Sequence, residues 1–225
     1  MKQQQNDTVI DNHVVEGLFP IPLYRAHRYS NLDPTEEADI EDVIKAGSLI
    51  NKEAASNNTF SLNKYVFETK LVNLKEFCEK HIKIYVKEVL GIIEKEEVAF
   101  HITQSWLNIT KPGENHAPHW HPNSIISGVF YISIKEDDQI SFYDPYYKSK
   151  QMIQIERTHY QNWNSDVYNI NVNNNELILF PSWLEHGIAP NENTTMNTDR
   201  ISLAFNVFVR GNIGIQGSLN ELVLR

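Results

Sequence analysis

The chain has 225 residues, of which 41% are hydrophobic and 11% aromatic, and its formal net charge is −9. This composition excludes a disordered chain, and the acidic balance argues against broad, non-specific binding to nucleic acid, which needs a basic surface. The single cysteine, Cys78, excludes an intrachain disulfide. The N-terminal sequence lacks the apolar core of a signal peptide, and no run approaches the roughly 20 apolar residues of a membrane helix. We therefore expect a cytoplasmic protein.

The first part of the chain, residues 1–97, is expected to form a helical support segment. Residues 18–24 are apolar and contain two prolines, which is typical of an edge strand or an extended arm because proline cannot donate to a sheet ladder. Asp33-Pro34-Thr35-Glu36 has the order of an N-cap, a first helical residue and a reciprocal capping partner. From about Asn73, apolar residues recur every three or four positions and predict a long amphipathic helix.

From residue 98 onward, short β-branched or aromatic segments alternate with turn residues. The candidate strands are 98–110, 125–135, 139–143, 151–156, 167–172, 176–181 and 200–209. Seven or more short strands predict a closed or double-sheet antiparallel fold such as a jelly roll. We therefore predict a mainly β fold over 98–210, buttressed by N-terminal helices, with residues 1–225 forming a single domain.

The segment Asn115–Ser124 contains three histidines within six residues. Side chains two residues apart in a strand point to the same face, so His119 and His121 can converge on one point. His186 follows the apolar strand 177–180, which a jelly roll can place beside these two residues. Histidine pairs at loop edges are often only hydrogen-bonded surface residues, but the addition of His186 favours a metal site. Three ligands on one face of a metal leave other positions open for substrates.

Arg200 leads into the apolar strand that begins at Ile201. A buried guanidinium is costly without an anion, and its planar fork can bind a carboxylate at two points. A salt bridge to an acidic residue of the chain is the alternative interpretation. Together with the histidines, Arg200 favours a clamp for an organic acid.

These residues resemble the 2-oxoglutarate/iron(II) oxygenase superfamily. More narrowly, they resemble a family of such oxygenases with a His-x-His-Pro-x-Ser-x-x-Ser-Gly-Val-x-Tyr signature. The resemblance covers about residues 18–209. It rests on Leu18-Phe19-Pro20, Trp106-x-Asn108, Asn115 to Val129, Asp144-Pro145, Phe180-Pro181-Ser182-Trp183-x-x-His186 and Arg200-Ile201-Ser202.

The resemblance implies a double-stranded β-helix, of the jelly-roll or cupin-like type, that binds iron(II) and 2-oxoglutarate. His119 matches the first metal ligand and His186 the last. Arg200 matches the residue that pairs with the distal carboxylate of 2-oxoglutarate. Three further positions, Ser202, Tyr131 and, less closely, Asn108, match the cosubstrate pocket. The implied activity is that of a hydroxylase, which uses dioxygen and acts on a small-molecule or peptidyl substrate.

The second ligand position departs from the superfamily, because His121 stands where a carboxylate is usual. Three outcomes are open. His121 ligates the metal, or it stands off and leaves a vacancy, or an acid such as Asp144 supplies an oxygen. Strand geometry favours ligation by His121.

Two rival functions remain open from the sequence. The first is a cupin-type metalloenzyme that does not use 2-oxoglutarate, such as a thiol dioxygenase or an isomerase. An Arg200 side chain that points away from the metal would favour this rival. The second is a non-catalytic binding module or phage structural component. Retention of three histidines and the arginine argues against this second rival.

Overall fold

The computed structural model describes residues 17–52, 56–92, 98–135, 137–150, 155–161, 163–190 and 198–224. Within these ranges, no helix is both long enough and apolar enough to cross a membrane. The helices are α1 (Pro34–Lys45), α2 (Val66–Thr69), α3 (Val72–Glu88) and α4 (Tyr147–Lys150). The strands are β1 (Tyr24–His27), β2 (Ser48–Ile50), β3 (Thr59–Ser61), β4 (Val98–Thr110), β5 (His116–His119), β6 (Ile126–Ser133), β7 (Gln139–Tyr143), β8 (Val167–Asn171), β9 (Glu176–Pro181), β10 (His186–Ile188), β11 (Arg200–Ile213) and β12 (Leu222–Leu224).

The strands form two antiparallel sheets. The large sheet has the order β1-β9-β6-β11-β4-β3-β2, and β12 pairs with β11. The small sheet has the order β5-β10-β7-β8. From β4 to β11 the chain passes repeatedly between the two sheets, which is the arrangement of a jelly roll. The predicted mainly β fold is confirmed.

The two faces of strand β11 point toward two different apolar clusters. Leu203, Phe205 and Val207 belong to the apolar cluster that also contains the buried residues of helices α1 to α3. The alternate residues point to the opposite face, toward the second cluster between the two sheets, where Phe180 of β9 meets Phe142 of β7. The alternation in β11 therefore separates a helix-facing side from a side that faces the small sheet.

Gly128 on β6 fits this packing because a side chain there has no room. A Cβ atom at this position would lie 2.1 Å from the ring of Phe205. The two central strands of the large sheet therefore pack with a ring of β11 directly over the backbone of β6.

The N-terminal part differs from a purely helical support. The capping box of Asp33 and Glu36 is present, as the sequence predicts. However, β1 joins the edge of the large sheet at β9, and β2 and β3 extend its other edge. Residues 18–23 form the extended arm that precedes β1.

In α3, Cys78 is buried, and Nδ1 of His81 lies 2.7 Å from the hydroxyl of Tyr24, so both serve packing.

Several boundaries differ from the sequence-based prediction. The candidate strand 151–156 lies largely outside the described residues, and its last two residues are not in a strand. The short strands β5 and β10 and the single-turn helix α4 are not among the predicted elements. Segments of three or four residues carry too little periodicity to be recognised, because their pairing partners are distant in sequence.

Candidate metal centre

Two histidines from neighbouring strands form the base of the site. His119 on β5 and His186 on β10 are direct cross-strand partners, and their ring centroids are 4.4 Å apart. The ring of His121 lies 5.2 Å from each of them. One ring nitrogen of each histidine lies within 4.8 Å of the other two. The three imidazoles therefore converge closely enough to hold a metal ion.

Strand alternation alone does not place His121, because β5 ends at His119. The backbone N–H of His121 donates to the carbonyl of Ser182 over 2.9 Å, and its ring stacks on Trp106 with centroids 5.8 Å apart. The predicted convergence of His119 and His121 is present. It arises because His121, which lies beyond the end of β5, is hydrogen-bonded to Ser182 in the segment before β10. Trp120 points outward and is 57% exposed.

The hydrogen bonds of the three rings determine which nitrogens are available for a metal. Each Nδ1 lies close to an oxygen that can only accept: Ala117 O at 2.8 Å from His119, Asn206 Oδ1 at 2.7 Å from His121, and Leu184 O at 3.0 Å from His186. The proton of each neutral ring therefore resides on Nδ1, and the lone pair is on Nε2. In His121 that Nε2 is buried and has no hydrogen-bond partner.

Burial keeps the rings of His121 and His186 neutral. Burial, followed by the electrostatic effect of the neighbouring His119, lowers the pKa of His121 to about 4. Burial, followed by the charge of His119, also lowers the pKa of His186 well below its ordinary value. Neutral imidazoles with free lone pairs are the form that binds a transition metal. The donor set thus fits iron(II).

No carboxylate among the described residues joins the histidine group. Asp144, the candidate oxygen ligand, accepts from the backbone N–H of Tyr146 over 2.9 Å and lines a different cavity. Three neutral donors leave a bound divalent cation with its full charge, one unit more than a site with a carboxylate would have. Such a centre favours anionic ligands in the remaining positions.

Three of the proposed cosubstrate residues form one row across the large sheet. Ser202 on β11 pairs with Asn108 on β4 and with Tyr131 on β6. Arg200 lies two residues before Ser202, on the same face of the strand. All four side chains are buried. The alternation of β11 thus collects polar groups on the side that faces the histidines.

Of the four side chains in this row, Arg200 has the most buried polar atoms without a hydrogen-bond partner. It is buried, and none of its three nitrogens has a hydrogen-bond partner. Its Nε lies 3.8 Å from a carboxylate oxygen of Asp138, and its Cζ lies 5.3 Å from the ring centroid of Tyr131. Burial raises the pKa of Tyr131 to about 12, although the Arg200 cation opposes the shift, so this hydroxyl keeps its proton and can donate. A carboxylate ligand would satisfy both groups.

One narrow cavity, of about 30 Å³, joins the two halves of the site. It is lined by all seven residues singled out in the sequence, namely Asn108, His119, His121, Tyr131, His186, Arg200 and Ser202. Arg200 therefore points toward the histidines and not away from them.

Two supporting residues were not assigned a role from the sequence. His116 stacks on His119 with centroids 4.0 Å apart, and its Nε2 lies 3.1 Å from the amide nitrogen of Asn51. Asn206 orients His121. Asn206 could have been found because it lies on the same alternating face of β11 as Arg200 and Ser202, whereas the stacking of His116 depends on the tertiary structure.

The comparisons with known proteins agree with this geometry. Residues 104–206 match a family described as "Putative 2OG-Fe(II) oxygenase". No curated protein matches the sequence.

Solved structures with the same fold include a prolyl-4-hydroxylase from Pseudomonas putida. It has 11% identity and a TM-score of 0.53, over 83% of this chain and 92% of that chain. A prolyl hydroxylase from Trichoplax adhaerens, in complex with a hypoxia-inducible-factor peptide fragment, has 10% identity and a TM-score of 0.53, over 83% of each chain. HygX from Streptomyces hygroscopicus, with nickel, 2-oxoglutarate and hygromycin B bound, has 9% identity and a TM-score of 0.51, over 83% of this chain and 82% of that chain.

At these identities the solved structures show a common fold, and the family match indicates a similarity over residues 104–206. The match covers strands β5 to β10 and the parts of β4 and β11 that line the site. Residues 104–206 of this chain are thus similar to the 2-oxoglutarate- and iron(II)-dependent oxygenases.

Proposed function

We propose that His119, His121 and His186 bind iron(II) and that Arg200 binds the distal carboxylate of 2-oxoglutarate. The observation that carries this assignment is the buried Arg200 guanidinium, which has no hydrogen-bond partner and shares a cavity with three convergent imidazoles. The carboxylate of Asp138 approaches only its Nε, at 3.8 Å, and burying the terminal nitrogens without hydrogen bonds is costly. An organic acid that spans the cavity satisfies the guanidinium at one end and the metal at the other.

The other residues of the row orient the cosubstrate. The protonated hydroxyl of Tyr131 and the hydroxyl of Ser202 donate to the same carboxylate as Arg200. Asn108 lies beside them and accepts a hydrogen bond from the indole N–H of Trp106 over 3.2 Å. The buried walls of β6 and β9 exclude water from the centre. Iron(II) and 2-oxoglutarate, when bound, supply the oxidation of a substrate by dioxygen.

Substrate hydroxylation is the reaction that we propose. The related fold that binds a peptide fragment acts as a prolyl hydroxylase, and the one with hygromycin B binds a small molecule. A peptidyl substrate is our first candidate, because the likeness to prolyl hydroxylases extends over most of both chains. A cytoplasmic location is proposed with it, from the single buried cysteine.

A cupin-type enzyme without 2-oxoglutarate is the second candidate, favoured only by the three-histidine donor set. The direction of Arg200 argues against it, since a thiol dioxygenase or an isomerase has no need for a clamp of this kind.

Anaerobic titration distinguishes these candidates. The protein with iron(II) is titrated with 2-oxoglutarate, and a visible charge-transfer band of the chelate is expected. Release of succinate should then depend on iron, 2-oxoglutarate and dioxygen together. If iron binds stoichiometrically and no band appears at millimolar 2-oxoglutarate, the cosubstrate assignment is wrong.

A further inference from the structure

A second and much larger cavity, of about 960 Å³, opens beside the metal centre. We call it the arm groove, because the arm of residues 18–23, together with Gly17 before it, forms one wall. The other wall consists of the end of β7, the turn after it and strand β8. This volume is at the upper end of those that bind small molecules.

The lining of the arm groove combines aromatic rings with negative charge. Six aromatic side chains line it: Phe19, Phe142, Tyr143, Tyr146, Trp163 and Tyr168. Its charged residues are Asp144 and Asp166, and no Lys, Arg or His is among the described residues of the lining. Ring faces and carboxylates both attract a cation, and apolar walls select a cation on an aliphatic stem.

The edge of β8 adds backbone hydrogen-bonding groups. The N–H of Asp144 donates to the carbonyl of Asp166 over 2.8 Å, and the N–H of Val172 donates to the carbonyl of Asp138 over 3.1 Å. Because hydrogen-bonded pairs alternate in an antiparallel ladder, the even-numbered residues of β8 bond to β7. Val167, Asn169 and Asn171 then direct their backbone groups outward.

The first part of this outer edge, at Val167 and Asn169, is available to pair with an added strand. The outward carbonyl of Asn171 already accepts from the guanidinium of Arg25 over 2.9 Å. In the sheet order given by the described residues, β8 is terminal, and no described strand pairs with its outer edge. Val167 and Tyr168, from opposite faces of β8, both line the arm groove, so the edge itself faces the groove. An exposed edge of this kind can bind an extended peptide by strand addition.

The arm groove also lies close to the proposed metal centre. Phe142 and Leu184 line it, and both contact His186: the ring of Phe142 lies 6.2 Å from that of His186, and Leu184 O is 3.0 Å from its Nδ1. Only one layer of side chains therefore separates the groove from the metal centre.

We propose that the arm groove binds the polypeptide substrate of this oxygenase, as an extended segment that adds to the edge of β8 and places a lysine or arginine side chain among the aromatic rings and the two aspartates. The proposal rests on the proposed function for the reaction, but the binding itself does not depend on iron or on 2-oxoglutarate. A free alkylamine carries the same kind of cationic group but has no peptide backbone. The experiment must therefore distinguish a peptide ligand from a free amine.

The experiment uses the full chain, as purified, on an array of immobilised heptapeptides. Each peptide has one fixed central residue (lysine, arginine, norleucine or glutamate) and degenerate flanks. We expect lysine and arginine peptides to retain about tenfold more protein than norleucine peptides, and glutamate peptides to retain the least. The variant Asp144→Asn with Asp166→Asn should lose this preference. The charge-matched control, Glu37→Gln with Glu68→Gln, changes exposed helical acids and should keep it.

A second measurement needs no variant of the protein. Two forms of the best lysine peptide are made, one N-methylated at the odd positions and the other at the even positions. The form whose methylated nitrogens would face β8 should bind at least about tenfold more weakly than the other, because it loses the hydrogen bonds to that edge. Butylamine at the same concentration should compete poorly. No preference for lysine or arginine over norleucine, equal binding of both methylated forms, or full competition by butylamine would each overturn the proposal. Failure of the iron titration with the peptide preference intact would instead contradict the proposed function alone.

Discussion

The Nε atom of Arg200 lies 3.8 Å from a carboxylate oxygen of Asp138, and both side chains are buried. Asp138 approaches the Nε edge of the guanidinium, and the two terminal nitrogens have no hydrogen-bond partner. Asp138 in turn accepts the backbone N–H of Lys135 over 2.9 Å, which fixes its carboxylate. The guanidinium is therefore held from one side while its terminal fork remains available to an anion.

Replacing Arg200 should remove the cosubstrate and spare the metal. We expect Arg200→Ala to weaken 2-oxoglutarate binding by about 30-fold or more, since a buried charge pair loses roughly 2–5 kcal/mol when one partner is removed. Iron(II) affinity should change little. Anaerobic titration of the chelate band measures 2-oxoglutarate binding, and metal content after equilibrium dialysis measures iron(II) binding. Arg210→Ala, at the exposed end of the same strand, is the matched control and should bind 2-oxoglutarate as the wild type does. Equal affinities of the two variants would contradict the role of Arg200.

His121 is the ligand on which the chemistry of the centre depends most. We expect His121→Ala to lower iron(II) affinity by at least about tenfold, because a site of three donors keeps only two. His121→Asp should retain iron and restore the usual carboxylate. Metal content after equilibrium dialysis gives the answer, with His27→Ala, an exposed histidine of β1, as the control. Undiminished iron in His121→Ala would mean that this ring stands off the metal.

Gly187 holds the two ligand strands at the required distance. A Cβ atom there would lie 2.9 Å from the carbonyl oxygen of His116 and 3.1 Å from the backbone nitrogen of Pro118. Since these are backbone atoms, Gly187→Ala must move β5 away from β10, where His119 faces His186. We expect a loss of about 1–3 kcal/mol in the free energy of unfolding, together with weaker metal binding. Denaturant unfolding and dialysis measure the two effects, and a variant with normal stability and normal metal content would contradict this account.

The metal-free protein should lose stability as the pH falls below neutrality. Burial, followed by the charge of His119, lowers the pKa of His116 to about 3, and burial lowers that of His121 to about 4. The unfolded chain, whose histidines have a pKa near 6.5, therefore binds protons that the folded chain does not bind. The stability associated with these rings is fully present above pH 6.5 and declines from there toward pH 4 and pH 3, by about 1.4 kcal/mol per pH unit for each ring.

Urea unfolding of the metal-free protein at pH 7, 6 and 5 tests this dependence. His116→Gln should remove one histidine's share of the slope, whereas His27→Gln should leave the slope unchanged. A stability that is equally independent of pH in all three proteins would show that the folded rings titrate normally.

Local sequence determined much of this protein. The capping box at Asp33 and the strands β4, β7 and β9 were predictable with their bounds, because capping and alternation act over a few residues. The seven site residues could be named because His119, His186 and Arg200 occur in a recognisable order. Asn206 could have joined them from its place in the alternation of β11.

Only the tertiary structure decided how these residues act together. The convergence of His121 depends on a backbone hydrogen bond to Ser182 and a side-chain contact with Asn206, which are distant in sequence. Strands β5 and β10 are too short to be recognised alone and form because β10 pairs with both β5 and β7. The lack of hydrogen-bond partners at Arg200 and the arm groove beside β8 follow from the packing of whole sheets, since burial and enclosure are properties of several chain segments at once.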